Sequence, residues 1–192
     1  MKKIVCFVLI MILCVSFAYS EDKVCLKIGD TAPKFALKDS DDNVYSLDSI
    51  IGKGKTNTRV LILIIGNRHT RENGNKWLKE LDKLYHEQNN VEIFMVADLR
   101  GLPFFVTESM IKWGTKREKL PRPVLLDWEG KVNDLYKTEQ GKSNLFVIDK
   151  TGKIRYIFVG KFKKDELEIL NAKIQENIKK SLAIHKEIKN EK

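Results

Sequence analysis

The chain has 192 residues, 43% apolar and 32% charged, enough for the core of one domain and too apolar for wholesale disorder. Four Pro and 11 Gly exclude collagen and low-complexity repeats, and no period of roughly 20–50 residues marks a solenoid. Three Cys are too few for a disulfide framework or a Cys-rich zinc site, and the formal charge of +9 is spread over interspersed Lys and Glu, the pattern of a solvated surface.

Residues 1–20 carry the tripartite pattern of a signal peptide. Lys2 and Lys3 precede an apolar run, Ile4 to Phe17, broken only by Ser16, and Ala18-Tyr19-Ser20 supplies small residues before Glu21-Asp22. Fourteen residues are short against the ~20 needed to span a bilayer, and Leu13 is too bulky to precede a lipidated Cys14. Cleavage after Ser20 is therefore expected, with export to a periplasm or beyond and no nucleic-acid partner. The mature chain keeps 33 basic and 26 acidic side chains, a charge of +7, and one thiol, Cys25. That thiol lies in a terminus, residues 21–27, expected to be flexible. An odd Cys in an oxidising compartment points to an intermolecular disulfide, hence a dimer through Cys25; an inert thiol is the plainer reading.

Residues 28–47 read as a β-hairpin around the turn cluster Ser40-Asp41-Asp42-Asn43. A polar loop, 52–57, precedes Val60 to Ile65, six aliphatic residues in a row that mark a strand covered on both faces. After a loop at 66–73, a helix is expected with Trp77, Leu78, Leu81, Leu84 and Tyr85 on its apolar face, ending at Asn89-Asn90. Val91 to Ala97 is the next buried strand, joined by a right-handed crossover. A second helix is expected over 105–113 with Val106, Met110 and Trp113 on one side, then a basic loop over 112–122, a strand at 124–127 and a helical turn at 131–136. Residues 145–148 and 154–159 form an antiparallel pair about the turn Asp149-Lys150-Thr151-Gly152. A long helix begins at Asp165 with apolar residues at 167, 170, 174, 178 and 182, its end fraying from about Lys186. The reading is an α/β domain over 28–180, a central mixed sheet flanked by helices with an N-terminal hairpin, followed by a helix extension and charged tail over 181–192.

Four segments in this order resemble the thioredoxin-like superfamily, in its exported redoxin and AhpC/TSA peroxiredoxin-type branch. They are the entry motif Ile28 to Phe35, the strand Val60 to Gly66 with the helix after it, Phe146 to Ile154, and Gly160 with the terminal helix. The resemblance spans about residues 27–175 and implies a thioredoxin-like fold and thiol oxidoreductase or peroxidase activity. Such chemistry needs a C-x-x-C pair at a helix N-terminus, where the dipole and backbone N–H groups stabilise the thiolate. Aligned on Gly66, those two positions hold His69 and Glu72, and Ser143 stands at the family's cis-proline, where a trans bond is expected. No Cys follows Cys25, so neither a dithiol nor a peroxidatic Cys is present there.

His69 and Glu72, at i and i+3, share a helix face as a metal or acid–base pair requires, but one His and one carboxylate are an incomplete zinc set. Capping by Thr70 or Asn73 explains the same polar cluster more simply. Arg68 and Arg71 beside the helix start suggest an anion site. Lys112, Lys116, Arg117, Lys119 and Arg122, with Trp113 and Trp128, suggest a basic, aromatic-edged surface or a solvated loop. The expected molecule is a non-catalytic binding module for an unknown protein or anionic ligand, with no cofactor and no metal. Its ligand cleft is expected between the 66–73 loop and the Ser143 loop. The alternatives are a redoxin-type oxidoreductase acting through Cys25 or a partner thiol, and an assembly protein using the terminal helix.

Overall fold

The computed structural model describes residues 25–51 and 60–190, with side chains described as far as Ser181. The signal segment 1–20 and the polar loop 52–57 lie outside the described residues. Seven strands form one mixed sheet: β1 (Ala36–Lys38), β2 (Val44–Ser46), β3 (Val60–Asn67), β4 (Val91–Asp98), β5 (Val124–Asp127), β6 (Ser143–Asp149) and β7 (Ile154–Gly160). Their order is β2-β1-β5-β4-β3-β6-β7. β3, β4 and β5 run parallel, while β1, β2, β6 and β7 pair antiparallel, so the hairpins flank a parallel centre. Helices α1 (Leu47–Ile51), α2 (Arg71–Tyr85), α3 (Glu108–Arg117), α4 (Lys131–Leu135) and α5 (Lys164–Asn190) complete the described fold.

The continuous aliphatic run of β3 divides between two cores, because successive side chains point to opposite faces. Val60, Ile62 and Ile64 meet Trp77, Leu78 and Leu81 of α2 and Leu170, Ile174 and Ile178 of α5. Leu61, Leu63 and Ile65 meet Phe35, Leu47, Ile50, Val132 and Tyr136 on the other face. The entry motif is stitched to the start of β7 by the Gly29 amide on the Ile154 carbonyl and to the β6–β7 turn by the Ala32 amide on the Gly152 carbonyl, both 2.8 Å. The Tyr136 hydroxyl donates to the Pro33 carbonyl at 3.0 Å, and its ring packs edge-on against Phe35 and Phe146. Proline and phenylalanine of that motif thus seat the hairpin on the sheet.

Several expectations are corrected. α2 begins at Arg71, inside the expected loop, and Leu84 is 42% exposed; Gly74 joins the expected Trp77, Leu78, Leu81 and Tyr85 in the buried stripe. The helix ends at Tyr85, where the His86 amide closes on the Asp82 carbonyl at 2.8 Å, before Asn89-Asn90. α3 starts three residues late because Thr107, in extended backbone, caps it with Oγ1 accepting from the Met110 amide at 3.3 Å. It then runs on through the first half of the expected basic loop. Met110 and Trp113, expected together on one side of this helix, are 53% and 62% exposed, and no residue of α3 is buried. The apolar stripe of α5 is spent on the sheet at Leu170, Ile174 and Ile178, and helical backbone continues to Asn190, past the expected fraying point.

Candidate functional site

β3 delivers the chain to α2 through a tight turn built by Asn67 and Thr70. Asn67 Oδ1 accepts from the His69 amide at 2.9 Å, and the Thr70 amide donates to the Asn67 carbonyl at 3.0 Å. Thr70 occupies the N-cap of α2, but its hydroxyl turns backwards, accepting from the Asn67 amide at 2.9 Å and donating to the Asn67 carbonyl at 3.2 Å. It therefore closes the turn and caps nothing in the helix. A Cβ on Gly66 would lie 2.4 Å from that hydroxyl, so the turn requires glycine there.

Asn73, the other expected cap, is a cross-brace within the first helical turn. Its Nδ2 donates to Ser143 Oγ at 2.7 Å and to the Gly160 carbonyl at 3.2 Å, and its Oδ1 accepts from the Phe162 amide at 2.7 Å. Ser143 is 1% exposed and pairs with Gly160 across β6 and β7. The expected cleft between the 66–73 loop and Ser143 is thus bridged by hydrogen bonds. No cis peptide occurs among the described residues.

His69 and Glu72 are both exposed. His69 Nε2 accepts from Arg68 Nε at 3.1 Å. No group of three metal-ligating side chains gathers among the described residues, and no described helix is long and apolar enough to cross a membrane. Arg71, expected at an anion site, is ion-paired with Glu118 of the segment after α3, and Asn75 Nδ2 donates to the same carboxylate at 3.1 Å. The expected basic surface is likewise largely neutralised. Lys112 binds Asp42 and Glu108 at 2.8 Å, Lys116 binds Asp41 at 2.6 Å, and Arg122 binds Asp82 at 2.6 Å. The Lys112 contact holds Asp42 below the usual carboxylate range. Arg117 lies over the Trp113 ring, and Trp128, 38% exposed, is on a separate segment.

The concavity of this region lies on the opposite side of the turn, between α2 and α3. It is a cavity of about 330 Å³ over the C-terminal ends of β3, β4 and β5, the edge at which open parallel sheets bind ligands. Ile64, Met95, Val124 and Leu126 form its floor, Val106 and Ile111 its outer wall, and Arg68 and Thr70 part of its polar edge. His69, Glu72 and Ser143 do not line it. Asp98, which does, is buried and accepts from three donor groups of Arg100: Nε, shared between both oxygens at 3.1 Å, Nη2 at 2.7 Å and the backbone amide at 3.0 Å. Arg100 also reaches Asp134 at 2.8 Å, and these carboxylates raise its pKa. Beside it, burial raises the pKa of Asp127, against the opposing bonds from the amides of Val132, Asn133 and Lys131. No sequence signal announced the cavity: its liners are spread from residue 64 to 126 and read individually as core.

A dominantly parallel centre between antiparallel hairpins, with a turn at the end of β3 opening the first long helix, defines a thioredoxin-like protein. The AhpC/TSA family model matches residues 28–157, and the chain belongs to that family. Among solved structures it is similar to a Chlorobium tepidum protein assigned as the thiol:disulfide interchange protein DsbE, with 22% identity, 79% of this chain and 98% of that chain covered, and a TM-score of 0.57. The exposed lipoprotein thioredoxin Etrx1 of Streptococcus pneumoniae is 20% identical, with 74% and 99% covered and a TM-score of 0.53. A thiol-disulfide oxidoreductase of Bacteroides fragilis is 18% identical, with 73% and 99% covered and a TM-score of 0.51. At these identities the likeness shows the fold. A search of curated proteins returned no match.

Proposed function

We propose that this chain is an exported binding module on a redoxin scaffold, working without dithiol chemistry of its own. The observation that carries the reading is the brace at Asn73. Where the scaffold offers a thiolate site facing the β6 loop, this chain has exposed His69 and Glu72, and an asparagine ties α2 to Ser143, Gly160 and Phe162. A thiolate needs an electropositive, accessible setting at that helix start. The sole described thiol, Cys25, is exposed in the N-terminal segment, ahead of the hairpin. Export is supported by the signal pattern of residues 1–20 and by the exposed lipoprotein among the similar structures.

The competing reading is a thiol-dependent peroxidase or oxidoreductase acting through Cys25, favoured by family membership. Hydrogen peroxide consumption with dithiothreitol, compared between the mature chain and Cys25→Ser, separates the two. Equal, background rates support the binding module. A rate well above background that falls in Cys25→Ser overturns it. Exposure of Cys25 also supports a disulfide dimer in the oxidising compartment; a monomer band alone on non-reducing electrophoresis of native material would remove that dimer.

A further inference from the structure

The cavity between α2 and α3 exists because α3 meets the core at the half-buried Ile111 and is otherwise strapped over the sheet by polar contacts. No residue of the helix is fully buried; Ile111 packs half-buried against the core, and the other fixings are polar: Lys112 and Lys116 to the β1–β2 turn, and Glu118, just past its end, to Arg71 and Asn75. Two glycines leave the space unfilled. Gly74 and Gly114 both line the space, and a Cβ built on Gly114 meets nothing within 4 Å. Exposed ion pairs are weak clamps, so apolar floor and apolar wall stay apart with room between them.

That room has the makeup of a ligand site, an apolar body with a few polar groups at one edge. At about 330 Å³ it stands at the small end of ligand pockets, usually ~300–1,000 Å³. At the ~30 Å³ that a water-sized group occupies in a liquid, it holds a chain of about ten carbons. The charges of the lining decide the head group. Asp98 is bound by Arg100 and Glu118 by Arg71, so both acids are neutralised. Arg68 is the lining cation, among the described residues, whose hydrogen bond goes to an imidazole nitrogen instead of a carboxylate, and it is exposed at the edge. The wall leads out to bare aromatic surface. Phe104 is 100% and Phe105 64% exposed, their rings edge-on 5.7 Å apart, between the liners Leu102 and Val106.

We infer that this cavity binds a single-chain anionic amphiphile of medium length, its hydrocarbon chain between Met95, Ile111 and Gly114 and its head group on Arg68. The inference rests on the binding-module reading and supplies the class of its ligand. Phe104 and Phe105 give the chain an apolar surface to meet before it enters. Free amphiphile and the chain of a membrane lipid share this chemistry, and the size of the cavity commits the proposal to the free monomer.

The test titrates sodium decanoate, below its micellar concentration, into the full mature chain by calorimetry and by amide and methyl resonance shifts. Saturable binding is expected, with shifts at Met95, Ala97, Ile111 and Gly114. Decanol is expected to bind several-fold more weakly, and that preference is expected to vanish in Arg68→Ala. Gly114→Leu fills the space and is expected to weaken binding at least tenfold. Gly114→Ala, a milder intrusion that favours helix, provides a graded loss if the larger side chain disturbs folding. Absent or non-saturable binding by the wild type overturns the proposal. So does unchanged affinity in folded Gly114→Leu, or a decanoate preference that survives Arg68→Ala. Binding to anionic vesicles without binding to monomeric decanoate also overturns it. The assay contains no reductant, so failure here leaves the peroxide result untouched, and peroxidase activity would sink the earlier reading alone.

Discussion

Replacing Asn73 by alanine tests whether the start of α2 is a structural brace. The wild-type side chain serves three groups: Ser143 Oγ, the Gly160 carbonyl and the Phe162 amide. Ser143 is almost fully buried, and Phe162 packs against Trp77 at 4.9 Å between ring centroids, so water has little access to replace the lost partner. A buried polar group left unpaired costs about 1–3 kcal/mol. Two such groups, Ser143 Oγ and the Phe162 amide, put the loss at roughly 2–6 kcal/mol. At a urea slope of about 2 kcal/mol per M, the midpoint should fall by about 1–3 M. Amide exchange at Phe162 should accelerate with it, because its acceptor is gone. A midpoint change under about 0.5 M, with Phe162 exchange unaltered, would refute the brace and reopen the cleft beside Ser143 as a working site.

Three further outcomes follow from the geometry. Asp149, in the β6–β7 turn, has its pKa pushed up by burial but lowered overall by bonds from Thr151, Lys153 and Arg155. A depressed folded-state value means stability that is present above the unfolded value near 3.8 and lost as pH falls through the folded one. Asp149→Asn should therefore cost about 1.5–3 kcal/mol at pH 7, with the gap to wild type closing below pH 4; a pH-independent gap in urea midpoints would contradict this. Gly130→Ala should destabilise by roughly 1–3 kcal/mol, because Gly130 has φ +68° and a Cβ would strike the Arg100 guanidinium that binds Asp98; an unchanged melting midpoint would contradict it. Trp77→Ala should cost about 3–5 kcal/mol in chemical denaturation, since the ring is fully buried against α5 and β7; a loss under about 1 kcal/mol would show that the α2 face is not a packed core.

Much of the fold was legible because periodicity reports burial. Six aliphatic residues at 60–65 could only be a strand covered twice, and both cores confirm it. The Asp149 turn and the hairpin at 39–43 were equally plain, since their carboxylates, turned onto backbone amides, make such turns. α3 was less legible: its spacing puts Met110 and Trp113 on one side without saying whether that side is covered. Both are exposed, and α3 is tied to the hairpin by the Lys112–Asp42 pair, 70 residues apart, which a local pattern cannot contain. The site was the least legible part. His69 and Glu72 could be placed by alignment, but Asn73 acquires its role only from Ser143, Gly160 and Phe162, 70 to 89 residues on. The cavity depends on an absence of side chain at Gly74 and Gly114, which composition does not reveal.

Insulin reduction separates a binding module on this scaffold from a thiol-exchange enzyme. The purified mature chain, with dithiothreitol as electron source, is compared with dithiothreitol alone and with Cys25→Ser. The account predicts three superimposable rates of insulin precipitation. A wild-type rate several-fold above the other two would contradict it and return this chain to the oxidoreductases.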